Sequence, residues 1–383
     1  MIHIEDKSKC CGCSACVSGC PVGCIDFNED EHGFQYPIVD LSRCINCGLC
    51  ERVCPCLNDS GEKTPEGVYA AINPNEEFRQ KSSSGAFFTA IAEYVLNNGG
   101  IVFGACFDSD WVVVHDCIDK IEDIERLRRS KYSQSQIGDS FKKALEFLKS
   151  GKLVLFTGTT CQIDGLNRFL RKEYANLITV DTVCHGVPSP MIWKDYLHKT
   201  LEDKQRKMDD ITYISFRDKT TGWKNYSMVI KADDEVLVDE QVGKNVYLQG
   251  FINNLYLRPS CFSCPSKSGR CKSDFSLADF WAIKSFLPEI DDNKGVTLLY
   301  VNSQKGEGIL RNLHLNLTEL DKTQELNSAY SHSARVKYPV DVFWNLYSRK
   351  GLEAITEICE KMKPNGVRIF LNRAVGFIKR KLK

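Results

Sequence analysis

The 383-residue chain has no surplus of charge of either sign: Lys plus Arg and Asp plus Glu come to 50 each. A broad basic face that tracks a phosphate backbone is excluded, and no nucleic acid is expected as a partner. No apolar run approaches the roughly 20 residues that span a bilayer. The opening residues, Met1-Ile2-His3-Ile4-Glu5-Asp6, lack the apolar stretch of a secretory signal, so a cytoplasmic protein is expected. No G-x-G-x-x-G stands at a strand-to-helix turn, which removes the usual dinucleotide fingerprint. Cysteine, by contrast, is abundant: 19 in all, 11 of them before Leu57. In a reducing compartment such a cluster reads as metal ligation before disulfides.

Spacing selects the metal. Cys10, Cys13, Cys16 and Cys20 precede Pro21, and Cys44, Cys47, Cys50 and Cys54 precede Pro55. Both runs fit C-x2-C-x2-C-x3-C-P, the bacterial pattern for 4Fe–4S clusters, repeated at an offset of 34. The fourth cysteine of each run serves the other cube. One cluster is therefore assigned to Cys10, Cys13, Cys16 and Cys54, the other to Cys44, Cys47, Cys50 and Cys20. Zinc modules pair two knuckles across a longer gap and rarely close four-cysteine runs with proline. Cys11, Cys24 and Cys56 are left over, as packed small side chains, with Cys24 where a spare ligand can enter. Ile25–Phe27 and Phe34–Tyr36 bracket a polar stretch like a hairpin. Through Asn58 there are eight acids and four bases, a net charge of −4, which suits a basic redox partner or simply a solvated surface.

Residues 58–65 read as a linker. Beyond it strands and helices alternate: a helix over Ala86–Asn97, strands at Ile101–Cys106 and Trp111–Val114, a helix over Phe141–Lys149, then strands Leu153–Phe156 and Ile178–Val183 around a helix at Ile163–Lys172. Such succession implies a parallel sheet. Cys161 and Cys184 each follow a strand, so both emerge at the carboxyl edge, where open α/β sheets place ligands. With the C-x2-C pair Cys261 and Cys264, they offer four thiols to a third cluster; buried cysteines are the plainer alternative. Ser82-Ser83-Ser84-Gly85 before a helix offers N–H groups to a phosphate, or merely an N-cap at Ser84. The loop at Lys131-Tyr132 lines a flavin or faces solvent.

Together these pieces resemble the coenzyme F-420 hydrogenase/dehydrogenase beta-subunit family. The motifs are Ser82–Gly85, Ser130-Lys131-Tyr132, Gly158-Thr159-Thr160-Cys161-Gln162-Ile163, Cys184–Ser189, and Arg258–Cys264 running into Asp279-Phe280-Trp281. The resemblance implies FAD in the α/β body, fed by the clusters, and a two-electron substrate such as F-420. It also implies a redox partner, either a ferredoxin or a dehydrogenase or hydrogenase subunit. Thr160, where proline is expected, and Asp164 depart from the pattern. A flavin joins one-electron clusters to hydride chemistry. A subunit that only transfers electrons to another enzyme is the rival reading.

Ile211–Phe216, Ser227–Ala232 and Val236–Val238 read as a small antiparallel sheet, with Gly222-Trp223-Lys224 in a turn. Val296–Val301 reads as a further strand, with a helix after Gly306. His185 and Asp279 are candidates for proton relay; a satisfied loop histidine and a capping aspartate are the plainer readings. From Gly366 the chain carries six bases and no acid, with apolar residues at helical spacing. This tail docks on the body or meets an anionic membrane or acidic partner. The expected class is α/β, α+β overall: a ferredoxin module over 1–58, beta-subunit-type domains over 62–150 and 151–330, and a helical tail over 331–383.

Overall fold

The computed structural model describes residues 1–363. The basic stretch from Gly366 lies outside them. Among the described residues no helix is long and apolar enough to cross a membrane.

An eight-stranded mixed sheet organises the body. Its centre is four parallel strands, in spatial order Phe275–Asp279, Leu177–Thr182, Val154–Thr159 and Ile101–Phe107. Antiparallel strands flank them: Thr297–Val301, Gly67–Ile72 and Asn316–Glu319 on one side, Val113–Ile118 on the other. Alternation along the strands sends residues to two cores. Val102, Leu155 and Val180 pack under the helix Phe87–Asn97. Ile101, Phe103, Val154 and Phe156 pack under Ser140–Lys149 and Thr160–Leu170. Helices thus cover both faces, as near-continuous apolar strands require.

The expected strand at Trp111–Val114 is displaced. Asp108 accepts hydrogen bonds from the amides of Asp110 and Val112, and Trp111 turns at φ 56°. The strand begins only at Val113, because an aspartate that caps its own turn competes with the sheet ladder.

The small antiparallel sheet runs Glu235–Gln241, Ser227–Ala232, Ile211–Asp218. Four helices share its core: Pro190–Lys204, Val246–Ile252, Val340–Lys350 and Glu353–Met362. At the amino end, Ile25–Glu29 pairs with Gln35–Val39 as a hairpin. Its tip is tied to the body: Ser189 Oγ donates to the His32 carbonyl at 2.5 Å, and the His32 ring stacks on Trp344 at 4.0 Å.

Candidate iron–sulfur and flavin site

The duplicated sequence folds as a duplicated backbone. Gly12 and Asn46 are both left-handed, at φ 67° and 53°, and so are Ser14 and Gly48, at 69° and 68°. Short helices follow at matching positions, Ala15–Gly19 and Leu49–Arg52. Left-handed residues between cysteines turn successive amides toward a common centre, a concavity that favours negative charge.

Two cavities lie beside these loops. One is lined by Cys10, Cys13, Cys16 and Cys54 together with Cys11 and Cys56. The other is lined by Cys20, Cys44, Cys47 and Cys50 together with Cys24. The crosswise grouping expected from spacing is the grouping of the cavity walls. The first is the inner cavity, against the body, and the second the outer, where Cys47 is exposed. Among the described residues no three cysteine sulfurs lie mutually within 4.8 Å. A tetrahedral zinc, with Zn–S near 2.3 Å, would draw its sulfurs to about 3.8 Å.

Burial raises the thiol pKa of Cys10 and of Cys16. Such thiols resist ionisation unless a cationic centre sits between them. At Cys20 burial also pushes up, but the amides of Cys24, Val22 and Gly23 outweigh it and the pKa falls. The Cys24 sulfur stands 3.4 Å from that of Cys20.

A third set of thiols forms at the carboxyl edge of the parallel strands. Cys161 lies in the first turn of Thr160–Leu170, a helix closed by a Thr159–Gln162 capping box. Cys184 follows Leu177–Thr182. Cys261 lies in the short helix Pro259–Ser263, which Cys264 caps. Burial first, and then the neighbouring thiols Cys184, Cys161 and Cys264, raise the Cys261 pKa. Burial pushes Cys184 up to about 12. A nearly buried ammonium, Lys267, donates to the Cys184 carbonyl at 2.5 Å and favours the thiolate forms of Cys184 and Cys264. The Val187 amide donates to Cys261 Sγ at 3.4 Å. Thr160, the departure from the expected proline, turns its hydroxyl to Cys264. Asp164, the second departure, pairs with Arg168 and Ser266.

The inner cavity and the third set adjoin. Cys11, Cys13, Cys56 and Cys161 share one apolar cluster. A hydrogen bond from Cys11 lowers the Cys161 thiol pKa in spite of burial. Gly165 permits the contact: a Cβ there would stand 2.9 Å from Cys13 Cβ and 3.0 Å from its sulfur. Two of the spare cysteines thus fill the boundary between sites.

The residues considered for FAD are partly committed to the protein. Ser82 Oγ pairs with Thr89, Ser83 Oγ accepts from the Ser130 amide at 2.8 Å, and Ser84 Oγ donates to the Val296 carbonyl at 2.8 Å. Gly85 donates to Thr297 Oγ1. A side chain there would strike the Ala71 carbonyl at 2.2 Å, so close approach to the sheet explains this glycine. Lys131 donates to the Arg128 carbonyl at 2.8 Å, and burial lowers its pKa to about 8. The Tyr132 ring packs on Phe251 and Phe216.

Asp279 ends the strand beside that of Cys184, and its carboxylate is held by Arg217 and by the Trp223 indole. Arg217, which the sequence did not signal, is 2% exposed. Its guanidinium packs against Tyr226 and Trp281, and its Nε and Nη2 atoms lack partners. Half-exposed Trp281 stacks on buried Trp223 at 4.7 Å. His185 bonds to Asn254 at 2.5 Å and meets the edge of Phe251. Phe251 therefore touches both His185 and Tyr132, and the Arg217–Asp279 pair lies close enough to act on the Tyr132 hydroxyl.

Comparison with known proteins gives three family matches. The 4Fe–4S dicluster domain matches residues 9–58. The coenzyme F-420 hydrogenase/dehydrogenase beta subunit matches with its N-terminal part over 68–142 and its C-terminal part over 151–325, together well over half of the chain. No curated protein matches. Among solved structures, the xenon-derivatised F-420-reducing NiFe hydrogenase complex from Methanosarcina barkeri is similar, at 15% identity and TM-score 0.45. The alignment covers 78% of this chain and 93% of that one.

Proposed function

Because the chain belongs to the coenzyme F-420 hydrogenase/dehydrogenase beta-subunit family, with a 4Fe–4S dicluster domain at its amino end, we propose that it is an iron–sulfur flavoprotein oxidoreductase. It exchanges electrons with a partner protein and with a soluble two-electron substrate such as a deazaflavin. When bound, the clusters supply one-electron transfer and FAD couples it to hydride chemistry. The observation that carries this reading is the row of adjoining thiol sets, outer, inner and third, ending at the sheet edge where α/β proteins bind ligands.

Each set has a role. Cys44, Cys47, Cys50 and Cys20 hold the outer cluster. Cys10, Cys13, Cys16 and Cys54 hold the inner one. Cys161, Cys184, Cys261 and Cys264 hold a third, with Lys267 balancing its negative charge. Cys11 and Cys56 keep water from the boundary between the last two. Ser83, Lys131 and Tyr132 contribute to the flavin pocket. Arg217, oriented by Asp279, directs unpartnered N–H groups that suit the carbonyl edge of a planar ring, and Trp281 offers a stacking face. His185 is the candidate proton donor beside the third set.

Anaerobic purification with iron, sulfide and flavin quantified tests the assignment. Roughly twelve irons with bound FAD are expected. Roughly eight irons without flavin overturn the third cluster and the FAD together. Clusters with no turnover of reduced F-420, nicotinamides or other added small molecules would favour a subunit that only relays electrons.

A further inference from the structure

We propose that Arg258 is the positioning residue of the electron path: its guanidinium raises the reduction potential of the inner cluster and locks that cluster against the third. This rests on the cluster assignment above. The side chain is fully buried. Its Nε donates to the Cys10 carbonyl at 2.7 Å, and its Nη2 reaches Cys10 Sγ at 3.5 Å and the Gln35 carbonyl at 2.9 Å. Nη1 donates to Gln134 at 2.9 Å, and the Tyr36 ring lies 4.3 Å from the guanidinium carbon. The main chain of the same residue faces the other site. Its carbonyl accepts from the Cys261 amide at 2.9 Å, and its amide donates to the Val187 carbonyl at 2.9 Å.

One residue therefore grips a ligand of each cluster, by its side chain on one and its backbone on the other. Its charge is permanent, since a guanidinium does not deprotonate in a protein. Reduction adds an electron to a cluster buried beside that charge, and a fixed cation stabilises the reduced form, the more so where water is excluded. The ring of Tyr36 and four acceptor atoms around the guanidinium prevent the charge from moving away. Partners for every nitrogen mark Arg258 as built for this place, unlike Arg217, whose nitrogens are partly free.

The test uses the full chain, prepared anaerobically with its clusters, and potentiometric titration followed by EPR. Arg258→Gln is expected to keep its iron and lower the inner cluster's potential by a tenfold change in the reduction equilibrium, about 59 mV for one electron. The outer cluster stays within about twofold. Arg258→Lys keeps the charge but loses the fork, so the same potential falls by less. Unchanged potentials in Arg258→Gln at full iron content overturn the proposal, and so does a fall as large in the lysine variant. Should Arg258→Gln shed iron, Arg258→Lys alone decides: a shift of less than tenfold confined to the inner cluster supports the role of the charge, and a fall of tenfold or more overturns it. Wild-type protein without an inner-cluster signal would instead overturn the cluster assignment itself.

Discussion

At the scale of the residue, a cysteine proposed as a ligand differs from a packed one in its company. Cys271 is 1% exposed, lies in the core under Ser140–Lys149, and hydrogen-bonds to Ser273 nearby in the chain and to Asp181 of the strand Leu177–Thr182. Cys184 is one of four thiols that sense one another beside an ammonium. Cys184→Ser and Cys161→Ser should each lose about four irons of roughly twelve, while Cys271→Ser keeps its iron content; iron and sulfide analysis of the three variants decides. Lys131 gives a prediction for pH. Its folded pKa is lowered to about 8, with burial as the cause, so between pH 8 and its ordinary value near 10.5 the unfolded chain binds more protons. Its contribution to stability is therefore least favourable below pH 8 and improves as pH rises. Lys131→Met should gain about 3 kcal/mol over wild type below pH 8, an advantage that disappears near pH 10.5, as urea unfolding at a series of pH values would reveal.

At the scale of the element, the helix Thr160–Leu170 does two things at once. Its first turn carries Cys161, and Gly165, one turn on, accepts the Cys13 loop against its backbone. Gly165→Leu should separate the inner and third sites. Overpacking of this kind costs about 1–3 kcal/mol, and electron transfer from the inner cluster to the flavin should slow at least tenfold, measured by stopped flow after reduction of the clusters. A rate equal to wild type would mean that electrons do not cross here. Arg168, on the same helix, reaches Ser60 Oγ at 2.6 Å and the Asn58 carbonyl, so the linker after the amino-terminal module is fastened to this helix too.

At the scale of the molecule, charge is balanced in total and uneven in place. The amino-terminal 58 residues carry −4, and exposed apolar side chains gather there: Ile38, Leu41 and Ile45 are each more than half exposed, near exposed Cys47. Electrons should enter at the outer site from a partner with a basic rim. Exchange with a basic one-electron carrier such as cytochrome c should slow about tenfold as salt is raised from 0.02 to 0.3 M, because screening shortens the reach of surface charge. A rate indifferent to salt would place the entry elsewhere.

The crosswise grouping of thiols was legible in the sequence alone, and the two cavity walls repeat it, because short loops bring nearby cysteines together. The sequence also determined the parallel sheet, since buried strands alternating with amphipathic helices have few other ways to pack, and so placed Cys161 and Cys184 on its carboxyl edge. Tertiary structure decided the rest. Strands Gly67–Ile72 and Phe275–Asp279 insert into the sheet from distant parts of the chain, and no local pattern specifies that pairing. Arg217 meets Asp279, and Arg258 meets Cys10 across 248 positions, as pairs whose meaning exists only once the chain is folded. A lone arginine in a sequence reads as solvent-facing; only burial, by removing water, turns it into a fixed charge beside a sulfur.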